Sequence, residues 1–277
     1  MSRLYVVGTP IGNLEDVTFR ALRILKSVSL IAAEDTRKAH RLLSHYDIQT
    51  PLTSLFEANE RSKIASILGA LADGDVAVIS EAGMPGISDP GYPLIRAAIE
   101  EGVPVVPIPG PSAHTAALVA SGLPTDQFTF VGFLPRKGNE RDRVLEHLAP
   151  LASTLVVYAA PHRLRAILRA MHEAWGARRI AICRELTKMH EEIWRGDLQD
   201  ALSWAKSKPP RGEYTLVIAG ATESEARWNE AQVKAALAQH LAQGLAPSRA
   251  AREVSSLSGW SRRDVYELQL EMKREVE

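Results

Sequence analysis

The chain has 277 residues, enough for two compact domains. Apolar residues make up 45% and charged residues 24%, a globular composition that excludes a disordered or fibrous chain. Lysine plus arginine and aspartate plus glutamate both total 33, so a surface for a polyanion must be local, and the single cysteine, Cys183, excludes an intrachain disulfide and a multi-cysteine zinc cluster.

Leu4 to Val7 reads as a first strand, entered without the basic and then apolar run of a secretory signal. It ends in Gly8, Thr9, Pro10, Ile11, Gly12, Asn13, where glycines serve either a tight strand-to-helix turn or the close approach of a ligand. Val17, Ala21, Ile24, Leu25 and Val28 then trace a helical period. Val28 to Ala32 reads as the second strand, followed by Glu34, Asp35, Thr36 and Arg37, a charged cluster in which Asp35 or Thr36 can cap the next helix.

Val76 to Ile79 is the third strand candidate, and behind it the stretch Ser80 to Gly91 packs three glycines and two prolines. Such a loop is stiff and exposes its backbone, and it lies at the C-terminal end of a strand, where open α/β sheets bind ligands. Its amides and carbonyls suit the amino, carboxylate and ribose groups of a nucleotide-like ligand. A fourth strand, Val103 to Ile108, ends in Pro109, Gly110, Pro111, Ser112, Ala113, with Ser112 placed to cap a helix. The stretch free of charged residues from Val103 to Thr125 is broken by five prolines, which argues against a membrane span.

After Leu123 and Pro124 a second set begins, with strand candidates Phe128 to Phe133, Thr154 to Tyr158, Ile180 to Cys183 and Tyr214 to Ala219. Helices are expected over His162 to Trp175 and Asp197 to Ala205. Beyond the polar segment Ala221 to Trp228 the pattern becomes wholly helical: stripes of Val233, Leu237, Leu241 and of Ala251, Val254, Leu257 end at Gly244 and Gly259, and Ser261 with Asp264 has capping-box spacing before Val265, Leu268 and Met272. Three short helices of this kind are expected to form a helix-turn-helix-like unit. Its Arg249, Arg252, Arg262 and Arg263 serve either RNA contact or a plain solvated face. The expected division is residues 1–123 and 124–222 as two α/β domains and 230–277 as the helical unit.

Several chemistries are excluded. No two of the 18 glycines are separated by one residue, so neither G-x-G-x-x-G nor a related G-x-G loop is present. There is no phosphate loop of the G-x-x-x-x-G-K-[ST] type, no G-x-S-x-G elbow and no H-E-x-x-H zinc helix, and the eight histidines lack ligand spacing, so no catalytic metal is expected.

Taken together the loops resemble the tetrapyrrole methylase superfamily, and within it the branch that methylates small-subunit ribosomal RNA. The resemblance runs through Thr9 to Leu14, Ala33 to Arg37, Gly83 with Pro85 to Gly91, Pro107 to Ala113, Gly132 to Lys137, Pro161 to Leu164, Arg184 to Lys188 and His190 to Gly196, in order over roughly residues 4 to 220. The helical tail is similar to that branch's C-terminal helix-turn-helix piece. The sequence departs from the family at Glu81 and Met84, where Asp and Thr are usual, at Phe56 and Ala58, where histidines are usual, and at Ala159, where an acid is usual.

The resemblance implies two α/β domains with S-adenosylmethionine in the cleft between them, in a cytoplasmic homodimer that does not enter a membrane. It places Pro10, Gly12, Glu81, Ala82, Gly83, Met84, Pro85, Ser112 and Ala113 on the cofactor from one side, and Leu186 with Tyr214, Thr215 and Leu216 from the other. The implied reaction is 2'-O-methylation of a cytidine in small-subunit ribosomal RNA, free or assembled in the subunit. A ribose hydroxyl needs its proton removed, and Asp35, Glu185 and Lys188 are the candidates, Lys188 as a neutral amine or as a charge beside the alkoxide. Arg136, Lys137, Arg141 and Arg143 form a local basic run that, with Arg37 and Arg163, is the candidate RNA grip; a solvated surface is the alternative. Two rival functions share the motifs: methylation of a tetrapyrrole such as a corrin precursor, and an inactive RNA-binding assembly factor.

Overall fold

The computed structural model describes residues 2–222 and 228–276. In its first half the apolar runs are strands of one parallel sheet: β1 (Leu4–Val7), β2 (Leu30–Ala33), β3 (Leu52–Ser54), β4 (Val76–Ile79) and β5 (Val105–Ile108), in the order β3-β2-β4-β1-β5. The central strands β1 and β4 are buried at every residue, as a parallel sheet covered on both faces requires. The connecting helices are α1 (Phe19–Ser27), α2 (Thr36–His45), α3 (Glu60–Ala70), α4 (Tyr92–Glu100) and α5 (Ala113–Ser121).

The caps explain the boundaries. Thr18 Oγ1 accepts from Ala21 N at 3.1 Å, and Asp35 is the cap of α2, accepting from the amides of Arg37 and Lys38. Val28, read above as the start of a strand, instead closes α1, and β2 begins two residues later. The edge strand β3 escaped the sequence reading because it has only three residues, Leu52, Thr53 and Ser54, none of them fully buried.

The second sheet holds β6 (Phe128–Phe133), β7 (Thr154–Ala159), β8 (Arg179–Arg184), β9 (Glu192–Asp197) and β10 (Tyr214–Ile218), in the order β6-β7-β10-β8-β9. Only β6 and β7 run parallel. Strand β9 was not expected, since Glu192, Arg195 and Asp197 put charges into a short run; it lies at the sheet edge, where such charges remain wet. Helices α6 (Gly138–Leu148), α7 (Leu164–Trp175) and α8 (Leu198–Ser207) cover one face, burying Leu145, Leu148, Leu164, Leu168, Met171 and Trp175 against Leu155, Val157, Ile182 and Leu216.

The other face is covered by α5, whose Ala117 and Leu118 pack on Val156, Ala181 and Val217. Thus α5 leaves the first sheet and lies on the second. The period-two alternation of a strand decides what each residue faces: along β10, Leu216 and Ile218 enter the core under α7, while Thr215 and Val217 turn toward α5 and the gap between the sheets.

The C-terminal helices are α9 (Glu230–Ala242), α10 (Pro247–Ser258) and α11 (Arg262–Val276). Asn229 and Gln232 make a complete capping box, Gly259 takes the left-handed conformation that stops α10, and Ser261 Oγ accepts from Asp264 N at 3.1 Å. Val233, Leu237, Ala251, Val254, Val265 and Leu268 form their core. Of the polar segment read between Ala221 and Trp228, residues 223–227 lie outside the described residues. Among the described residues no helix is long and apolar enough to cross a membrane.

The turns after β1 and β5 meet backbone to backbone. A Cβ on Gly110 would lie 2.8 Å from Gly8 C and Cα, and one on Gly8 would lie 2.7 Å from Gly110 Cα and Met84 Sδ. Backbone cannot give way as a side chain can. Gly110→Ala is therefore expected to lower stability by about 1–3 kcal/mol in urea denaturation. Gly69→Ala, in α3 with nothing within 4 Å of the new methyl, is expected to raise it by ~0.5–1 kcal/mol in the same measurement.

Candidate active site

The C-terminal ends of β1, β4 and β5 open toward the second sheet, and a cleft of about 290 Å³ lies there. Its floor is set by reciprocal hydrogen bonds, Thr9 N to Gly83 O at 2.9 Å and Gly83 N to Thr9 O at 3.0 Å. Thr9 is almost fully buried, and its hydroxyl reaches Ser80 O at 3.4 Å. The first and third loops are thereby joined, and Ala82, Gly83 and Met84 face the cleft.

Eight of the residues read as cofactor contacts line this one cavity: Ala82, Gly83, Met84, Ser112, Ala113, Leu186, Tyr214 and Thr215. The others stand around it. Pro85 is buried behind its loop, and Leu216 is fully buried in the α7 core by the alternation of β10. Pro10 and Glu81 line an adjoining groove with Lys38. Gly12 presses on the second sheet's loop: a Cβ there would lie 2.7 Å from Thr187 Oγ1 and 3.0 Å from Leu186 O. Next to it, Asn13 N donates to Thr187 Oγ1 at 3.1 Å, a direct link across the mouth.

Sequence reading missed several lining groups, among them Asp89, Phe133, Tyr158, Cys183 and Glu213. Tyr158, Cys183 and Thr215 lie side by side on β7, β8 and β10, a juxtaposition made by strand register alone. His114 binds two of the lining hydroxyls, with Nδ1 2.8 Å from Ser112 Oγ and 3.4 Å from Tyr158 OH, and its ring lies against Phe130. Burial holds His114 below the usual imidazole range and pushes Tyr158 up to about 12 and Cys183 up to about 11, so all three are uncharged at neutral pH. Asp89 is different. Burial, reinforced by the nearby Glu34 carboxylate, pushes it up to about 7 against the opposing influence of the Ser80 hydroxyl.

The three proton-handling candidates are dispersed. Asp35 caps α2 outside the cleft, and its bond with the Arg37 side chain, joined by backbone amides, holds its carboxyl below the usual range. Lys188 bridges Glu185 Oε1 and Glu213 Oε2, each at 2.9 Å, at the cleft's edge. Burial alone would lower Lys188, but its bonds to the two carboxylates outweigh it, so the amine stays protonated. Glu185 is pushed up by burial and brought below its usual range by Lys188 and the Glu213 amide. Glu185 and Thr187 both have positive φ, 49° and 65°, so this loop is held in a strained form.

The basic run follows Phe133 of the cleft directly. Arg136, Lys137 and Arg143 are exposed, and neither Arg136 nor Arg143 makes an ion pair among the described residues. Lys137 pairs with Glu140 and Arg141 with Asp142. Arg163 is committed internally, its guanidinium donating to the carbonyls of Leu134 and Pro135, which fixes the segment that carries Arg136. Arg37 pairs with Asp35 and is otherwise exposed. Among the described residues no group of His, Cys, Asp or Glu side chains could hold a metal ion.

The chain matches two family models, Tetrapyrrole (Corrin/Porphyrin) Methylases over residues 3–202 and RsmI C-terminal HTH domain over residues 229–273. It is 45% identical to ribosomal RNA small subunit methyltransferase I of Halalkalibacterium halodurans, with 96% of this chain and 93% of that protein covered. It is 44% identical to the protein of the same name from Synechocystis sp., with 99% of each covered. Among solved structures, the methyltransferase CobJ aligns with a TM-score of 0.59 at 22% identity, over 80% of this chain and 95% of that one. Uroporphyrin III C-methyl transferase from Thermus thermophilus aligns with a TM-score of 0.58 at 21% identity, over 78% and 97%. These last two share the fold. The two-sheet body with its cleft and the helical tail therefore identify the chain as a methyltransferase of the tetrapyrrole methylase family, in the ribosomal RNA small subunit methyltransferase I group.

Proposed function

We propose that the chain transfers the methyl group of S-adenosylmethionine to the ribose 2'-hydroxyl of a cytidine in small-subunit ribosomal RNA, free or in the assembled subunit, in the cytoplasm. The observation that carries this reading is the full-length relationship to proteins named for that RNA, which extends through the helical tail.

The cleft suits the donor chemically. Ile11, Met84, Ala113 and Leu186 offer an apolar bed for an adenine, the hydroxyls of Ser112 and Thr215 offer polar anchors, and the carboxylate of Glu213 complements the cationic end of the donor. We assign Ala82, Gly83, Met84, Ser112, Ala113, Leu186, Tyr214 and Thr215 to direct contact with the cofactor. Pro10, Gly12, Glu81, Pro85 and Leu216 shape the walls. Bound there, the sulfonium supplies an activated methyl group whose leaving group departs uncharged. The chain's own part is alignment, worth ~7 kcal/mol or more in favourable cases, and management of one proton. Lys188 remains cationic and is assigned to the oxygen that gains charge, with Glu185 holding it in place. Asp35 is assigned to shaping α2.

Phe56 is partly exposed near the start of α3, and Ala159 lines the cleft as a small apolar wall. Pairing of two chains is part of the proposal, and Phe19, Val119 and Met189, 93%, 71% and 95% accessible in one chain, are the large apolar side chains free to take part in it. Light scattering of the full chain is expected to give the mass of two chains; a monomer removes this element.

Mass spectrometry of small-subunit RNA from cells with and without the gene is expected to show one ribose methyl group lost. An unchanged modification map overturns the function. DNA of the same sequence, lacking the 2'-hydroxyl, is expected to accept no methyl group.

The RNA grip is assigned to Arg136, Lys137, Arg141 and Arg143, with Arg37 at the rim and Arg163 as the clamp behind them. Charge reversal at Arg136 and Lys137 is expected to weaken RNA binding and reduce the slope of log K against log salt by ~1–2. Binding that keeps its full salt dependence discards the assignment. Calorimetric titration of S-adenosylmethionine is expected to be unaffected by the same change.

A further inference from the structure

Methyl transfer to a hydroxyl leaves a proton to be taken, and the groups first considered for it are poorly placed. Asp35 is outside the cleft and tied to Arg37. Lys188 is held protonated, and Glu185 and Glu213 are its partners. The hydroxyl of Tyr158 and the thiol of Cys183 face the cavity but are weak acids that stay protonated, and Cys183 Sγ already donates to Ala117 O. Glu34 accepts from Glu81 N at 3.1 Å and does not line the cavity.

One carboxylate in the cleft, Asp89, has no ion-pair partner among the described residues, and it lies on a loop braced on both sides. Asp89 follows Ser88, a non-glycine residue at φ 62°, a strained conformation that persists only where its surroundings enforce it. The bracing is visible on both sides. Gly86 N donates to Pro90 O at 3.1 Å, and Gly91 N donates at 2.6 Å to Oε1 of Glu60, a carboxylate of α3 that is itself buried. The loop tip also reaches the second sheet, where Ser88 Oγ would lie 2.9 Å from a Cβ on Gly132, at the irregularity of β6. Asp89 is thus held at the junction of the two sheets, in the same cavity as Ser112, Tyr158 and Thr215.

We infer that Asp89 is the catalytic residue that removes the proton from the accepting hydroxyl, an assignment that rests on the ribose-methylation reading above. As the hydroxyl oxygen forms its bond to the methyl carbon, an Asp89 carboxylate oxygen takes the proton. The electron pair of the broken carbon–sulfur bond leaves with sulfur as a neutral thioether, and the proton on Asp89 then passes to solvent. The groups facing Asp89 set its basicity. The Ser80 hydroxyl at β4's exit favours the charged form, while Glu34 after β2, Glu81 on its own loop and Glu213 before β10 repel the charge, and Tyr158 on β7 faces it uncharged. A carboxylate raised to about 7 is half ionised at working pH yet basic enough to accept the proton, which is the match general-base catalysis favours.

The experiment compares the parent chain with Asp89→Asn and Glu34→Gln, using unmethylated small-subunit RNA and S-adenosylmethionine. The parent is expected to lose turnover about tenfold per pH unit below about 7. Asp89→Asn should lose ~10²- to 10⁴-fold in kcat, without that acid limb, while calorimetric affinity for S-adenosylmethionine changes by less than about threefold. Glu34→Gln keeps an acceptor for Glu81 N and removes the repelling charge, so the limb should move to lower pH, a shift that a purely structural role would not cause. Independently of turnover, ¹³C NMR of the parent should show an Asp carboxyl, absent from Asp89→Asn, titrating near pH 7. An Asp89→Asn chain that binds cofactor and keeps parental kcat and acid limb overturns the assignment and leaves the function standing. An Asp89 carboxyl titrating near its ordinary value of ~4 overturns it as well. A parent that methylates no ribose overturns the functional reading, and this assignment with it.

Discussion

Two hydrogen bonds between Thr9 and Gly83 govern how this molecule presents its cleft. In a parallel sheet, neighbouring strands deliver their exit loops to the same end, but nothing in the sheet itself fixes how those loops lie. Here the exit of β1 is paired with the exit of β4 as a short antiparallel bridge, and burial of Thr9 keeps water from competing for it. With Gly83 fixed, Met84 is carried against Gly8, and the exit of β5 at Gly110 meets the same glycine backbone to backbone. Three loops therefore behave as one surface. A fourth contact, Asn13 to Thr187, ties that surface to the second sheet, where the backbone at Gly12 approaches the Leu186 carbonyl and the side chains of Thr187 and Lys188 too closely to admit a Cβ.

Helix α5 completes this arrangement. Its first residues, Ala113 with the capping position Ser112, belong to the cleft, and its middle, Ala117 and Leu118, belongs to the core of the second sheet. An apolar contact of this kind does not loosen with ionic strength, whereas the ion pairs at the rim do. The cleft is thus supported by salt-insensitive packing, while the ion pairs at its rim remain salt-sensitive.

How much of this the sequence revealed depends on whether the cause was local. The loop Ser80 to Gly91 could be read because its glycines and prolines carry their meaning in the chain itself, and the caps at Asp35 and Ser261 obey rules that span three residues. The tail's glycine stops were legible for the same reason. The row of Tyr158, Cys183 and Thr215 was not, since those residues meet only through the register of three strands far apart in sequence. Leu216 shows the converse. Its segment reaches the cleft, but the period of a strand turns that side chain into the core and leaves its neighbour Thr215 at the cavity. Asp89 was in plain view within the loop, yet only the surrounding burial and the distant Glu34 distinguish it from an ordinary acid.

The charges divide by the same logic. Around the cleft mouth sit Glu34, Glu81, Asp89, Glu185 and Glu213, and two lysines answer them: Lys38 pairs with Glu81, and Lys188 with Glu185 and Glu213. Each lysine is held in its charged form by the acids it touches. Asp89, outside both pairs and without a cation of its own, is raised first by burial and then by the Glu34 carboxylate, with Glu81 and Glu213 adding to the effect. Burial, together with the commitment of both lysines to other acids, sets this carboxyl apart from its neighbours. The Glu81 departure preserves this, because a side chain one methylene longer than aspartate still reaches Lys38 while its backbone amide stays bonded to Glu34.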